Sequence, residues 1–153
     1  IEALPELRED VRKRRIMMMV DLGRYNDALA IMHTENFVPL EMDQSFHDLY
    51  VRALMQRAAD ALQAGRVDDA IRDYQEALKY PENLGVGAPT TLSQADIYYH
   101  LGLAYEQVGR YMEALAAWRS AACEHHLHGS RLFEYVQKAL DKLSRYSELG
   151  MEL

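Results

Sequence analysis

Three times the chain repeats one short phrase where a helical stretch gives way to another. The phrases are Gly23-Arg24-Tyr25-Asn26-Asp27-Ala28-Leu29, Gly65-Arg66-Val67-Asp68-Asp69-Ala70-Ile71 and Gly109-Arg110-Tyr111-Met112-Glu113-Ala114-Leu115. Glycine closes a helix in the left-handed conformation at little steric cost. The acidic residues that follow fall in the next helix's first turn, where the macrodipole favours them. A turn of this kind folds two helices back on each other, so three of them predict three antiparallel hairpins. Composition agrees, since the 49% of apolar residues is dominated by Leu, Ala, Met and Tyr rather than Val and Ile, a balance that favours helix over strand. A length of 153 residues fits one domain with a real core.

The third unit shows how such a hairpin closes. Tyr98, Leu101, Gly102 and Tyr105 precede its turn, and Ala114, Trp118 and Ala121 follow it, all at three- and four-residue steps. Gly102 and Ala114 carry almost no side chain, so the helices can approach there while the larger residues fill the seam. This pattern of aromatic-x2-Leu-Gly-x2-Tyr and then Ala-x3-aromatic resembles the tetratricopeptide repeat (TPR). In the second unit Leu54, Ala58, Ala61, Ala70, Tyr74 and Ala77 keep the geometry, and Arg57 stands where the motif has Leu. The first unit is weaker: Ile16 and Met19 precede Ala28 and Met32, but Arg12 and Arg15 replace apolar positions. The resemblance implies an all-α fold whose hairpins stack as a short right-handed solenoid.

The turn glycines stand 42 and 44 residues apart, against a TPR period of about 34. The surplus falls in two elongated connections, around Thr34–Gln44 and Pro81–Leu92, the second punctuated by turn formers. Helices are expected near 5–22, 25–34, 45–64, 67–80, 93–108, 111–125 and 130–144. They form hairpins at about 5–34, 45–80 and 93–125 with a final helix at about 130–144. Ser45 and Ser93, each with Asp three residues on, read as helix N-caps with capping-box partners. The chain opens with Ile1 and stops soon after a further turn signal, Ser144-Arg145-Tyr146. It is read as a piece of a longer protein, with one more short helix starting near Arg145.

Three longer phrases go beyond the repeat pattern: Phe46-His47-Asp48-Leu49-Tyr50-Val51-Arg52-Ala53, Ala77-Leu78-Lys79-Tyr80-Pro81-Glu82-Asn83-Leu84-Gly85-Val86-Gly87, and Ile97-Tyr98-Tyr99-His100-Leu101-Gly102-Leu103-Ala104. Together they resemble the C-terminal TPR tail of large bacterial proteins whose N-terminal region is a domain of unknown function with a sugar-enzyme-like appearance. The likeness covers roughly residues 10–143. It implies that any catalysis belongs to that other region, and these residues inherit no catalytic role.

Chemical motifs are weak. His125, His126 and His128 sit at an expected helix end beside Gly129 and read as a polar terminus rather than a metal site, which would want more ligands with a second shell. Cys123 has no basic neighbour to activate it as a nucleophile, and a lone cysteine excludes an internal disulfide. Arg12-Lys13-Arg14-Arg15 has same-helix partners in Glu6, Glu9 and Asp10 and no interleaved aromatics, so a helix surface is favoured over a nucleic-acid patch. A net charge of −7 points the same way. Gly85-Val86-Gly87 lacks the strand and third glycine of a phosphate loop. Carboxylates are scattered. No catalytic residue, metal or cofactor is assigned, and the chain is read as a non-enzyme. The longest apolar run near the start, Ile16–Val20, is far short of a membrane span of about 20 residues, and with no signal-peptide pattern a cytoplasmic location is expected.

In TPR stacks the first helix of each hairpin lines a concave groove. Projection places Met55, Ala59 and Leu62 on that face from the second hairpin, Tyr99, Leu103, Glu106 and Gln107 from the third, and Met17 and Val20 from the first. This mostly apolar set lacks the basic clamp that some TPR domains use for a terminal carboxylate. It suits an amphipathic helix or another domain of the parent chain. The competing expectation is that the face packs on the final helix. The predicted function is therefore a non-catalytic protein–protein or interdomain interaction module. The alternative is an architectural tail that packs on its parent or self-associates as a homodimer, and a helical-bundle enzyme is the least supported reading. No nucleic-acid or membrane partner is expected. Leu84 and Val86, set between turn formers in the second connection, are expected to be exposed and to dock on the parent, with burial against the adjacent hairpins as the competing outcome.

Overall fold

The computed structural model describes residues 5–88, 93–124 and 130–150, and these are helical with no strand among them. The helices are α1 (Pro5–Asp21), α2 (Tyr25–Thr34), α3 (Ser45–Gln63), α4 (Val67–Ala77), α5 (Ala95–Gln107), α6 (Tyr111–Ala122) and α7 (Phe133–Glu148), with a short 3₁₀ turn at Glu82–Leu84. Helix α1 packs on α2, α3 on α4 and α5 on α6, and α7 lies against both α5 and α6.

All three reversals share one hydrogen-bond pattern. Gly23, Gly65 and Gly109 have φ of 74°, 78° and 75°. Each glycine N–H bonds the carbonyl three residues back, and each following arginine N–H bonds the carbonyl five back. In the first turn these are Gly23 N to Val20 O at 3.0 Å and Arg24 N to Met19 O at 2.8 Å. This double closure satisfies carbonyls that a helix end otherwise leaves orphaned. The arginine side chains then reach the acidic residue three positions on: Arg24 to Asp27 at 2.8 Å, Arg66 to Asp69 at 3.4 Å and Arg110 to Glu113 at 3.0 Å. All are exposed pairs and contribute little singly.

Within the third hairpin Gly102 faces the indole of Trp118 rather than Ala114. A Cβ built on Gly102 would lie 2.6 Å from Trp118 Cδ1, with Nε1 closer still. Trp118 is fully buried and its Nε1–H donates to the Tyr99 carbonyl at 3.2 Å, which holds the ring in the space that glycine leaves. Tyr98 is half-buried at the edge of the same core, while Leu101, Tyr105 and Ala114 are inside it. In the second hairpin Ala58, Ala70 and Tyr74 are buried as expected, and Arg57 has its own partner. Its guanidinium takes both oxygens of buried Asp73 at 2.7 Å and the Asn26 side chain at 2.8 Å.

The two long connections meet each other. Phe37 N–H donates to the Asn83 carbonyl at 2.8 Å, and the Asn83 amide donates back to the carbonyls of Met32 and Glu35 at the end of α2. Gly85, with φ of 69°, passes so close to Phe37 that a Cβ would sit 2.6 Å from the Phe37 oxygen. Leu84 is fully buried and Val86 nearly so, with Leu84 in one apolar cluster with Ile16, Met32, Phe37, Phe46 and Leu54. The expected docking loop is thus corrected: Leu84 and Val86 are not exposed, and Leu84 seals the space between the first two hairpins. Pro89 and residues 90–92 lie outside the described residues, as does the His125–His128 cluster. The basic run also serves the first connection. Arg12 pairs with Glu9 at 2.7 Å and Glu35 at 2.6 Å and lies 4.2 Å over the Phe37 ring, and Lys13 bonds Asp43 at 2.8 Å. Lys13 and Ser45 together hold the Asp43 carboxyl down at about 2.

Other boundaries move for physical reasons. Helix α4 stops at Ala77 rather than near Tyr80. The N–H groups of Leu78 and Lys79 tighten onto carbonyls three back, Pro81 has no N–H to extend the ladder, and side chains from other elements take the carbonyls beyond. Gln94 donates to Leu78 O at 3.2 Å, and the His47 ring lies 3.0 Å from Lys79 O. Neither serine is an N-cap. Ser45 is the first residue of α3 and is itself held by the Asp43 side chain. Ser93 accepts from Ala95 N in a tight turn ahead of α5. The extra helix expected near Arg145 does not exist separately, for α7 runs through it to Glu148.

Two predictions follow from these contacts. Gly→Ala in a helix interior ordinarily gains about 0.5–1 kcal/mol, but Gly102→Ala will destabilise by about 1–3 kcal/mol because Trp118 occupies the Cβ site. Urea denaturation decides the sign. Arg57→Leu, which restores the motif residue, will cost on the order of 3 kcal/mol by leaving Asp73 buried and unpaired. The double variant Arg57→Leu/Asp73→Leu will recover most of the loss in the same assay.

Candidate functional site

The surface carried by the first helices of the second and third hairpins divides in two. Over the third hairpin it is covered: α7 buries Val136 and Ala139 against α5 and α6 and lays Tyr135 5.8 Å from Tyr99. Glu106 receives Lys142 at 2.7 Å and the Tyr146 hydroxyl at 2.7 Å, and the Tyr146 ring lies tilted beside Trp118 at a centroid distance of 5.7 Å. Toward the second hairpin the cover ends. There α3 and the start of α5 face each other across an open groove of about 440 Å³, whose end is marked by Leu132.

The groove is built by helical periodicity on both sides. From α3 it takes His47, Asp48, Val51, Arg52, Met55 and Gln56, and from the α5 side Ser93, Gln94, Asp96 and Ile97. The α5 end is fixed by Glu124, which accepts the Gln94 N–H at 3.1 Å and the Ser93 hydroxyl. His47 is buried, its ring stacked on Tyr80 at a centroid distance of 3.7 Å. Burial lowers its pKa despite the Lys79 carbonyl, so the ring is neutral at neutral pH and donates from Nε2 to that carbonyl. Burial likewise raises the carboxyl of Asp96, against backbone hydrogen bonds from the α5 N-terminus, and raises that of Asp48. Arg52 is held by Asp21 at 2.5 Å. The result is an apolar floor of Val51, Met55, Ile97 and Leu132 under a rim of carboxylates and amides. Such a surface can hold a protein segment by apolar contact and orient it by charge.

The residues expected to line one continuous groove are thereby separated. Met55 lines the open part. Ala59 is exposed one turn on, Leu62 is half-buried at the hairpin core, and Gln107 is exposed at the end of α5. Tyr99 and Leu103 are half-buried in the core that α7 joins, and Glu106 is engaged by α7, so these three do not present an open surface. Val20 is also corrected: it is buried in the apolar cluster of the first hairpin, whereas Met17 is exposed. Asp48, Val51, Gln56, Asp96 and Ile97 were not singled out by the projection. Stepping back from Met55 by four and seven residues reaches Val51 and Asp48, so the α3 side carried a readable signal. The α5 side depends on where that helix begins.

Among the described residues no group of three or more His, Cys, Asp or Glu is gathered as a metal site would require, and no helix is long and apolar enough to cross a membrane. No family model, curated protein or solved structure matches the chain.

The raised carboxyl of Asp96 has a measurable consequence. Its folded form takes up a proton more readily than the unfolded chain, so its ionisation costs stability at neutral pH, and that cost disappears as pH falls through the folded value toward 3.8. Asp96→Asn will therefore raise the melting temperature at neutral pH, and a pH series of thermal melts will show the gain fading in acid.

Proposed function

We propose that this chain is a non-catalytic interaction module of TPR-like hairpins that holds a protein segment in the groove between α3 and α5. The observation that carries the reading is that groove: an apolar floor left open between two helices of successive hairpins, beside a stretch of the same face that α7 covers. On this reading α7 plays the part of a terminal capping helix, giving the last hairpin the neighbour that every unit of a stack needs. The segment belongs either to another protein or to another domain of the parent chain. The likeness to C-terminal TPR tails of large bacterial proteins favours the latter, in a cytoplasmic setting.

A second reading, an architectural tail that packs on its parent or on a second copy, draws on apolar side chains outside the groove. Val38, Leu40 and Met42 are 79%, 62% and 89% exposed, and Val11, Met18 and Leu22 on α1 are 62%, 61% and 71% exposed. Exposed apolar residues gathered in this way are a feature of surfaces that meet other surfaces.

Substitution of a groove residue that is not part of the core separates the two. Gln56→Trp will fill the groove and abolish binding of peptides selected against the protein from a random display library, with little change in melting temperature. Peptides whose binding ignores Gln56→Trp, but fails on Met18→Ser/Leu22→Ser, would transfer the interaction to α1 and sink the groove reading.

A further inference from the structure

The acidic side chains of the groove are not matched by basic ones. Asp48 on α3 and Asp96 on α5 line it from opposite sides, and among the described residues neither pairs with a lysine or arginine. Glu124 adds a third carboxylate at the α5 end, where it is occupied with Ser93 and Gln94 N–H. Arg52, the cationic residue of the lining, is already engaged by Asp21. His47 contributes no charge, because its ring is stacked on Tyr80 and bonded to the Lys79 carbonyl. Gln94 has turned its amide away to the Leu78 carbonyl. Below this rim lie Val51, Met55 and Leu132, only partly buried, and Ile97.

We propose that the groove selects a protein segment carrying a lysine or arginine next to an apolar side chain, with the cation seated between Asp48 and Asp96 and the apolar group on Val51 and Met55. The proposal rests on the groove reading above and names the chemistry that the groove recognises. An arginine or lysine suits both halves of the surface at once: its methylene stem lies on apolar floor while its charged end reaches the rim. Association would also supply the counter-charge that exposed Asp48 and half-buried Asp96 now lack. A segment bearing acidic residues would meet the rim with like charge, so the same arrangement rejects it.

The test is a selection of random peptides displayed on phage against the intact 153-residue chain, followed by titration of the synthesised peptides. The expected result is enrichment of lysine or arginine beside an apolar residue. Affinity should fall about five- to tenfold in Asp48→Asn/Asp96→Asn, weaken with added salt in the parent but not in that variant, and stay unchanged in Glu134→Gln on the outer side of α7. Melting curves of the double variant confirm that it is folded, since removal of Asp96's charge is expected to stabilise it. Groove-bound peptides, lost on Gln56→Trp but lacking basic residues and indifferent to Asp48→Asn/Asp96→Asn, would overturn this proposal and leave the groove reading standing. Peptides indifferent to Gln56→Trp, or no selection at all, would overturn both.

Discussion

The fold depends on helices being able to reverse direction within three residues without leaving their last carbonyls unsatisfied. Glycine in the left-handed conformation makes this possible at Gly23, Gly65 and Gly109, each with the same pair of backbone hydrogen bonds. Once the reversal is closed, the two helices are held near each other before any long-range contact forms, and their small residues decide how closely they settle. Where that residue is Gly102, the partner's indole moves into the vacated volume; where it is Ala58 or Ala70, ordinary side chains suffice. The groove inherits its shape from these settlements. Helices α3 and α5 are each fixed by their own hairpin partner, and the open space between them is what those two attachments leave.

The hairpins were readable because a turn signal and a seam are local. Gly-Arg followed by an acid three residues on can be read from seven consecutive residues, and the ion pairs of Arg24, Arg66 and Arg110 were implicit in that same spacing. What stayed hidden depends on partners distant in sequence. Arg57 looks like a defect in a repeat until Asp73 and Asn26, on two other helices, are brought to it. Leu84 and Val86 look like exposed side chains on a shaped loop, because nothing near them in sequence says that the first connection will lie alongside. The carbonyls just past α4 show the same dependence: those of Leu78 and Lys79 are taken by Gln94 and His47, and neither residue is their neighbour in the chain.

The candidate site was legible by half. Periodicity along α3 leads from Met55 to Val51 and Asp48 with no knowledge beyond helical spacing. Periodicity could not say that α7 would cover Tyr99, Leu103 and Glu106, since an amphipathic helix advertises an apolar face without naming what it will face. Lys142 and Tyr146 both converge on Glu106, which pins the later part of α7 to the far end of α5, while Leu132 ahead of α7 marks where the open groove begins.

The meeting of the two connections alters how the molecule should come apart. In a simple linear array each unit touches only its neighbours, so an end can fray while the middle holds. Here Asn83, which follows the second hairpin, reaches back to the exit of α2, and Leu84 enters the core that α1, α2 and α3 share. The clasp spans half a hundred residues and cannot form until both hairpins are in place, so it delays closure and then ties them together. Loss of the first hairpin would strip the second of its cover, and opening of the second would release the first. The amino-terminal half thus behaves as a single cooperative unit rather than as two beads on a string.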